Sequence, residues 1–166
     1  MIKPLKSAGF EGKRAVSWDE IEDLCENVTN QIKDSGEEFN AIIAISRGGL
    51  IPGVLFSHYL GIRELRVIYA VRNLQEFPPK FSEVELFIPP EVFDFVKCKK
   101  ILVVDDIAGQ GQTIERVCEN LDGHCIQFKT AVLLKNERRY VSKREIDYFG
   151  ALSKSFITFP WDVSPC

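Results

Sequence analysis

Two adjacent carboxylates, Asp105 and Asp106, follow an apolar run and directly precede a glycine-rich turn, in the stretch ILVVDDIAGQGQT at 101–113. A glycine-rich turn between a strand and a helix presents backbone amides that bind phosphate. Two acids beside a phosphate would repel it, so the ligand must also bring groups that carboxylates bind. Sugar hydroxyls, a divalent cation and a cationic reaction centre are such groups. A ribose 5-phosphate with a free diol and Mg²⁺ supplies all of them.

The familiar nucleotide loops do not fit this turn. It lacks the lysine of the GxxxxGK[ST] loop, and Ile114 stands where a dinucleotide-binding fingerprint requires a third small residue. What remains is a short anion-binding nest formed by the amides of residues 109–113, the Thr113 hydroxyl and the N-terminus of the next helix.

Alternating strands and helices must position these residues. SWDE at 17–20 is a capping box that begins a helix reaching about Ile32. Short apolar runs predict buried strands of a mainly parallel sheet, and helical stretches follow them. We predict strands at 39–46, 64–71, 99–106 and 128–135, a helix ending near Gly61 and a helix at 113–123. Ligands bind beyond the carboxyl ends of such strands, where ISRGG, DDIAGQGQT and LLKN lie.

The segment from about 72 to 96 differs from the rest, because Pro78, Pro79, Pro89 and Pro90 interrupt it. We interpret it as a lid or hood rather than as part of the central sheet. The whole chain, 1–166, is then a single α/β domain that carries a small hood.

Composition limits the function classes. A formal net charge of −3 and a pI near 5.5 argue against a protein that coats nucleic acid, so small molecules are the expected partners. No apolar run is long enough for a membrane span, and no secretory h-region follows the N-terminus. Five cysteines without a CxxC pair suit reduced thiols. We expect a cytoplasmic homo-oligomer.

Four ordered motifs are similar to a known family. VVDDIAGQGQT resembles the phosphoribosyl-diphosphate (PRPP) signature of type I phosphoribosyltransferases, while AIIAISRGGLIPG, FITFPWD and VSWDEI resemble xanthine-guanine phosphoribosyltransferase and its small microbial relatives. The resemblance spans nearly the whole chain and fades at 72–96. It implies the type I phosphoribosyltransferase fold and transfer of ribose 5-phosphate from PRPP to guanine, xanthine or hypoxanthine, with release of pyrophosphate, in purine salvage.

The resemblance also implies a PRPP site. Asp105 and Asp106 are the implied catalytic pair: they hold the ribose diol and its Mg²⁺, with Asp106 as metal ligand, and stabilise the cationic ribose. Arg47 and Gly48 take the pyrophosphate through backbone amides, in a loop that relatives often hold with a cis peptide. The residues expected to cradle the 5-phosphate are Ala108, Gly109, Gln110, Gly111, Gln112 and Thr113.

For the base, the resemblance implies three residues. Lys135 matches a lysine that donates to the 6-oxo group, Phe156 an aromatic that stacks on the purine, and Ile157 a position whose backbone reads the base edge. We interpret Trp161 as a packing residue, whereas Asp162 suits either an acid at the edge of the site or a turn.

The signature departs from the family at one point. Enzymes for 6-oxopurines read D-D-x-x-D-T-G-x-T, but here Gly109 replaces the third acid and Gln110 the following threonine. A glycine has no side chain for acid-base work. Three hypotheses stay open: a phosphoribosyltransferase for guanine, xanthine or hypoxanthine, one for another or modified base, and a non-catalytic regulator that binds PRPP.

Overall fold

Six strands form the central sheet of the computed structural model, which describes residues 13–72, 84–97, 99–124 and 126–162. The strand order is β4-β3-β2-β5-β6-β7, and every pairing is parallel except that between β3 and β4. These strands are β2 (Ala41–Ser46), β3 (Leu65–Arg72), β4 (Val84–Phe87), β5 (Lys100–Ala108), β6 (Gln127–Asn136) and β7 (Tyr148–Ser153). A separate parallel pair joins β1 (Lys13–Ala15) to β8 (Phe156–Thr158).

In the described part of the chain, four helices cover the two faces of this sheet. They are α1 (Trp18–Ser35), α2 (Leu50–Leu60), α3 (Pro90–Val96) and α4 (Gln112–Gly123). Leu102 and Val104 of β5 pack in one apolar cluster with α1 and α2, whereas Ile101 and Val103 pack in the other with α3 and α4. Because side chains alternate along a strand, the continuous apolar run of β5 fills both layers. The α/β prediction is confirmed.

The capping box predicted for α1 is present. The Ser17 hydroxyl accepts from the Glu20 amide at 3.2 Å, and a Glu20 carboxylate oxygen accepts from the Ser17 amide at 3.0 Å. The helix extends to Ser35, past the predicted end near Ile32, and Gly36 ends it in the left-handed region at a φ of 69°. The helix face that carries Ile21, Leu24 and Val28 is buried against the sheet.

The register of the parallel strands sets the position of the site. Ala44 of β2 pairs with Val104 of β5, so the turn after β2 and the acids of β5 emerge at the same edge. Ala108 pairs with Lys135 of β6 at that edge as well. The expected meeting of ISRGG, DDIAGQGQT and LLKN at the carboxyl ends of the strands is confirmed.

The interpretation of 72–96 as a hood apart from the sheet is wrong for its described part. Residues Val84–Phe87 pair antiparallel with β3 and form an edge strand of the central sheet, and Pro90–Val96 form α3, whose Val92 and Val96 are buried in the core. Pro90 fits there because the first turn of a helix needs no amide hydrogen from it. Residues 73–83, with Pro78 and Pro79, lie outside the described residues.

Within the described ranges, no helix is long and apolar enough to cross a membrane.

Candidate active site

A cleft of about 660 Å³ opens above the carboxyl ends of β2 and β5. The turn after β2 and the acid pair of β5 form much of its wall. Residues that line it include Ser46, Arg47, Gly48, Asp105, Asp106, Thr113, Trp161 and Asp162. A second cleft of about 290 Å³ lies over the glycine-rich turn, and Asp105 and Thr113 line both clefts. The two clefts are therefore adjacent and together form the candidate site.

The turn between β2 and α2 lies directly against the acid pair. A β-carbon placed on Gly48 would lie 2.3 Å from Oδ2 of Asp106, and one on Gly49 would lie 2.3 Å from the carbonyl oxygen of Val104. The peptide bond between Ser46 and Arg47 is cis, as the family resemblance implies for this loop. A side chain at position 48 would displace the Asp106 carboxylate, and one at position 49 would collide with the backbone, so the two glycines of SRGG allow the turn to lie against the acid pair.

Little solvent reaches the carboxylates of Asp105 and Asp106. Asp105 is only 9% exposed, and its Oδ1 accepts from the Asp106 amide at 2.9 Å. Burial first, and then the charge of Asp106, raise the pKa of Asp105 well above its ordinary value. Burial raises the pKa of Asp106 to about 6, against the lowering effect of a hydrogen bond from Trp161. Such a pair gains from a cationic ligand, which lowers the cost of ionising both groups.

The number of acidic side chains at the site limits how many ligands the chain could offer to Mg²⁺. No cluster of three or more His, Cys, Asp or Glu side chains suited to a metal ion occurs among the described residues. The chain would thus supply one or two carboxylates from Asp105 and Asp106. Mg²⁺ is commonly held in this manner, with substrate phosphate oxygens and water completing its octahedron.

The glycine-rich turn, for which an anion nest is predicted, lies at the N-terminus of α4. Gly111 caps this helix with a φ of 84°, and a β-carbon there would lie 2.6 Å from the Tyr140 ring. Positive φ and crowding both require glycine at this position. Thr113 lies in the first turn of α4 and lines both clefts. The free amides of the first turn and the helix dipole suit a phosphate.

Gly109 stands where the family signature has an acid, and neither a positive φ nor crowding requires glycine at this position. It lines the second cleft, a β-carbon built on it would meet no other atom within 4 Å, and its φ is not positive. Backbone geometry therefore does not explain this glycine, and the space beside it is open.

A turn after β6 supplies a residue that the sequence analysis missed. Arg139 lines the second cleft together with residues of the nest and Phe156. The two adjacent clefts consequently each contain an arginine, Arg47 in the larger cleft and Arg139 in the smaller. The two arginines of ERR after LLKN carried the signal, because a strand end in this position reaches the ligand edge of the sheet.

The three residues predicted for the base occupy different positions. Phe156 is 56% exposed and lines the second cleft. Ile157 is buried in the core, which leaves only its backbone for a ligand. Lys135 does not line either cleft: its Nζ lies 2.7 Å from a Glu145 carboxylate oxygen and 4.4 Å from the centre of the Tyr140 ring.

The aromatic and acidic residues of FPWD have clearer positions. Trp161 stacks on Phe159 with the ring centres 4.7 Å apart, and its Nε1 donates to Oδ2 of Asp106 at 3.3 Å. The interpretation of Trp161 as a packing residue alone is therefore wrong. A partly buried indole N–H normally finds an acceptor, which was the available signal. Asp162 accepts from the Phe159 amide at 2.8 Å and also lines the larger cleft, which combines the two roles considered for it.

Comparison with known proteins agrees with this geometry. The model of the phosphoribosyl transferase domain family matches residues 17–165. The chain belongs to this family. A curated relative, the xanthine-guanine phosphoribosyltransferase of Idiomarina loihiensis, is 26% identical over 149 residues, which cover 89% of this chain and 86% of the relative.

Solved structures of other phosphoribosyltransferases share the fold. The purine phosphoribosyltransferase of Pyrococcus horikoshii is 26% identical, with a TM-score of 0.73 and coverage of 93% of this chain and 97% of its own. The xanthine-guanine-hypoxanthine phosphoribosyltransferase of Helicobacter pylori, at 22% identity, has a TM-score of 0.70 with 91% and 94% covered. The acid pair, the nest and the β2–α2 turn thus belong to a phosphoribosyltransferase domain.

Proposed function

We propose that the protein is a purine phosphoribosyltransferase, which transfers ribose 5-phosphate from PRPP to guanine, xanthine or hypoxanthine and releases pyrophosphate, in purine salvage. The observation that carries the proposal is the position of the acid pair between two anion-binding elements. Asp105 lines both the cleft that contains Arg47 and Gly48 and the cleft that contains the nest. The names of the Idiomarina and Pyrococcus relatives, each 26% identical over most of both chains, support a purine substrate.

The two clefts bind the two phosphate-bearing ends of PRPP. The 5-phosphate of PRPP binds at the nest, through the free amides of the first turn of α4 and the Thr113 hydroxyl. Its pyrophosphate lies in the larger cleft against the backbone of Arg47 and Gly48. Mg²⁺, which Asp105 and Asp106 would hold together with the substrate, neutralises phosphate charge when bound.

The acid pair acts on the sugar between the two phosphates. Carboxylates accept hydrogen bonds from the ribose diol. As the bond to pyrophosphate breaks, positive charge develops on the ribose ring, and a fixed pair of carboxylates in a buried site stabilises that charge without reorganising. The indole of Trp161 keeps the Oδ2 atom of Asp106 in place through its hydrogen bond.

A base other than a 6-oxopurine is the second candidate, and two observations favour it. Gly109 leaves no carboxylate where the family signature has one, and the space beside it is open. Lys135 is paired with Glu145 rather than free at the cleft. Phe156, exposed at the second cleft, offers a stacking surface for either kind of base.

Release of pyrophosphate from PRPP with Mg²⁺ and each base in turn tests the proposed function. We expect release with guanine, xanthine or hypoxanthine and none without a base. The same assay with Asp105→Asn/Asp106→Asn is the control for contaminating enzymes. Binding of PRPP without pyrophosphate release for any base would contradict the proposed function and support a regulator. The cytoplasmic location and the homo-oligomer stay predictions from the sequence.

A further inference from the structure

Hydrogen bonds before and after the turn at 137–139 fix the position of Arg139 beside the phosphate nest. Asn136 is 2% exposed; its Oδ1 accepts from the amides of Arg138 at 3.1 Å and Arg139 at 2.9 Å. On the far side, the amides of Val141 and Ser142 donate to the carbonyl oxygen of Gln110 at 3.1 and 3.2 Å. The chain that follows the turn is therefore hydrogen-bonded to the glycine-rich loop itself, which fixes the turn beside the nest.

Asn136 is in turn attached to the segment that carries Phe156. Its Nδ2 donates to the carbonyl oxygen of Ser155 at 3.1 Å, and Phe156 lines the second cleft with Arg139. A buried amide whose oxygen and nitrogen both bond backbone groups is a rigid support. Arg139 is thus built into the site.

The Arg139 guanidinium has no hydrogen bond or ion pair with any of the residues that the structure describes. By contrast, Arg14 pairs with Glu20 and Arg144 with Asp122. The nest, GQGQT at 109–113, contains no cationic side chain, so a phosphate dianion there would meet only amides, a hydroxyl and the helix dipole. Asp105 lines the same cleft and would oppose that dianion.

We propose that Arg139 binds the 5-phosphate of the substrate and offsets the repulsion between that phosphate and the acid pair. An arginine suits this task because its planar fork donates two parallel hydrogen bonds to phosphate oxygens. The inference rests on the proposed function, since it assigns a residue to one subsite of it. Arg47, in the larger cleft, then lies at the pyrophosphate end, so each end of the substrate has an arginine beside it.

Calorimetric titration with ribose 5-phosphate and, separately, with pyrophosphate in the presence of Mg²⁺ tests the inference. We expect Arg139→Ala to weaken ribose 5-phosphate binding by about 10- to 100-fold, the range for a lost charge-assisted hydrogen bond, and to leave pyrophosphate binding unchanged. Arg139→Lys keeps the charge without the fork and should recover part of the loss. The matched control is Arg138→Ala, which removes the same charge from the same turn.

The outcomes separate this inference from the proposed function. Equal affinity for ribose 5-phosphate in Arg139→Ala and Arg138→Ala would overturn the inference and leave the proposed function standing. A loss confined to the KM of the base would overturn it too, because Arg139 would then contact the base. If wild type releases no pyrophosphate with any base, the proposed function fails, while a selective loss of ribose 5-phosphate binding in Arg139→Ala still supports the inference.

Discussion

Trp161 donates its indole hydrogen bond to Asp106 across 3.3 Å and so connects the FPWD segment, far along the chain, to the acid pair at the end of β5. The same ring stacks on Phe159, and the Phe159 amide donates to Asp162. This arrangement makes the segment part of the acid site. The hydrogen bond favours the ionised carboxylate and lowers the pKa of Asp106 against the effect of its burial.

Trp161→Phe should raise the pKa of Asp106, because phenylalanine retains a stacking ring and lacks the donor. If ionised Asp106 is needed for turnover, kcat/KM for PRPP should fall more at pH values near 6 than above about 8. The measurement is the pH profile of kcat/KM. Trp18→Phe is the control, since Trp18 is 57% exposed and lies 5.8 Å from the Trp161 ring. Superimposable profiles for wild type and Trp161→Phe would contradict the role of this hydrogen bond.

Asp106→Asn should become more stable relative to wild type as the pH rises. Burial raises the pKa of Asp106 from 3.8 to about 6 in the folded state. Between these values the unfolded chain releases the proton while the folded chain keeps it, so wild type loses stability as the pH rises through this window, and the full penalty remains above it. Urea unfolding without divalent cations, at about pH 4 and about pH 7.5, measures the difference. A difference that does not change with pH would contradict the prediction.

Asp105→Asn/Asp106→Asn should abolish turnover and the Mg²⁺ dependence of PRPP binding while the fold persists. The isosteric amides fill the same buried space but carry no charge for a cation. Titration with PRPP at several Mg²⁺ concentrations measures the dependence, and circular dichroism checks the fold. Asp162→Asn, which alters an acid at the edge of the same cleft, is the control. Mg²⁺-dependent binding that survives in the double variant would count against the assignment.

Gly109→Asp should be tolerated by the fold and, if position 109 is a vacancy in an otherwise ordinary 6-oxopurine site, should raise the rate with guanine or hypoxanthine. A β-carbon at Gly109 meets nothing within 4 Å, and acid-base assistance is typically worth about 10²- to 10⁴-fold. Steady-state kinetics over a panel of bases tests this. Gly111→Asp is the contrasting control, because a φ of 84° and the Tyr140 ring exclude a side chain there. Loss of activity toward every base, together with loss of 5-phosphate affinity, would show that position 109 is not a vacant acid-base position.

Lys135→Ala should impair the use of guanine or hypoxanthine far more than PRPP binding if Lys135 reads the 6-oxo group. The expected loss is about 1 to 3 kcal/mol for a hydrogen bond from a charged donor. In the structure this lysine contacts Glu145, so Glu145→Gln, which weakens that ion pair, should leave base use intact or improve it. An equal loss with adenine would show that Lys135 does not discriminate the 6-oxo group.

The sequence alone determined the elements of this protein that depend on local pattern. Apolar runs identified β2, β5 and β6 because the central residues of a strand that is covered on both faces are mostly apolar. The capping box located the start of α1, and the acids next to the glycine-rich turn indicated the chemistry independently of the fold. Each of these signals spans only a few neighbouring residues, so the sequence shows it without the tertiary structure.

Beyond the meeting of the strand ends, only the tertiary structure decided which distant residues lie together. The edge strand β4 has few residues and gains its place by pairing with β3, and β8 pairs with β1 across nearly the whole chain. Nothing local links Trp161 to Asp106, or Arg139 to the nest, because strand order and register set these distances. Gly109 and Gly111 look alike in the sequence, yet their surroundings differ: Tyr140 crowds Gly111, whereas open space adjoins Gly109.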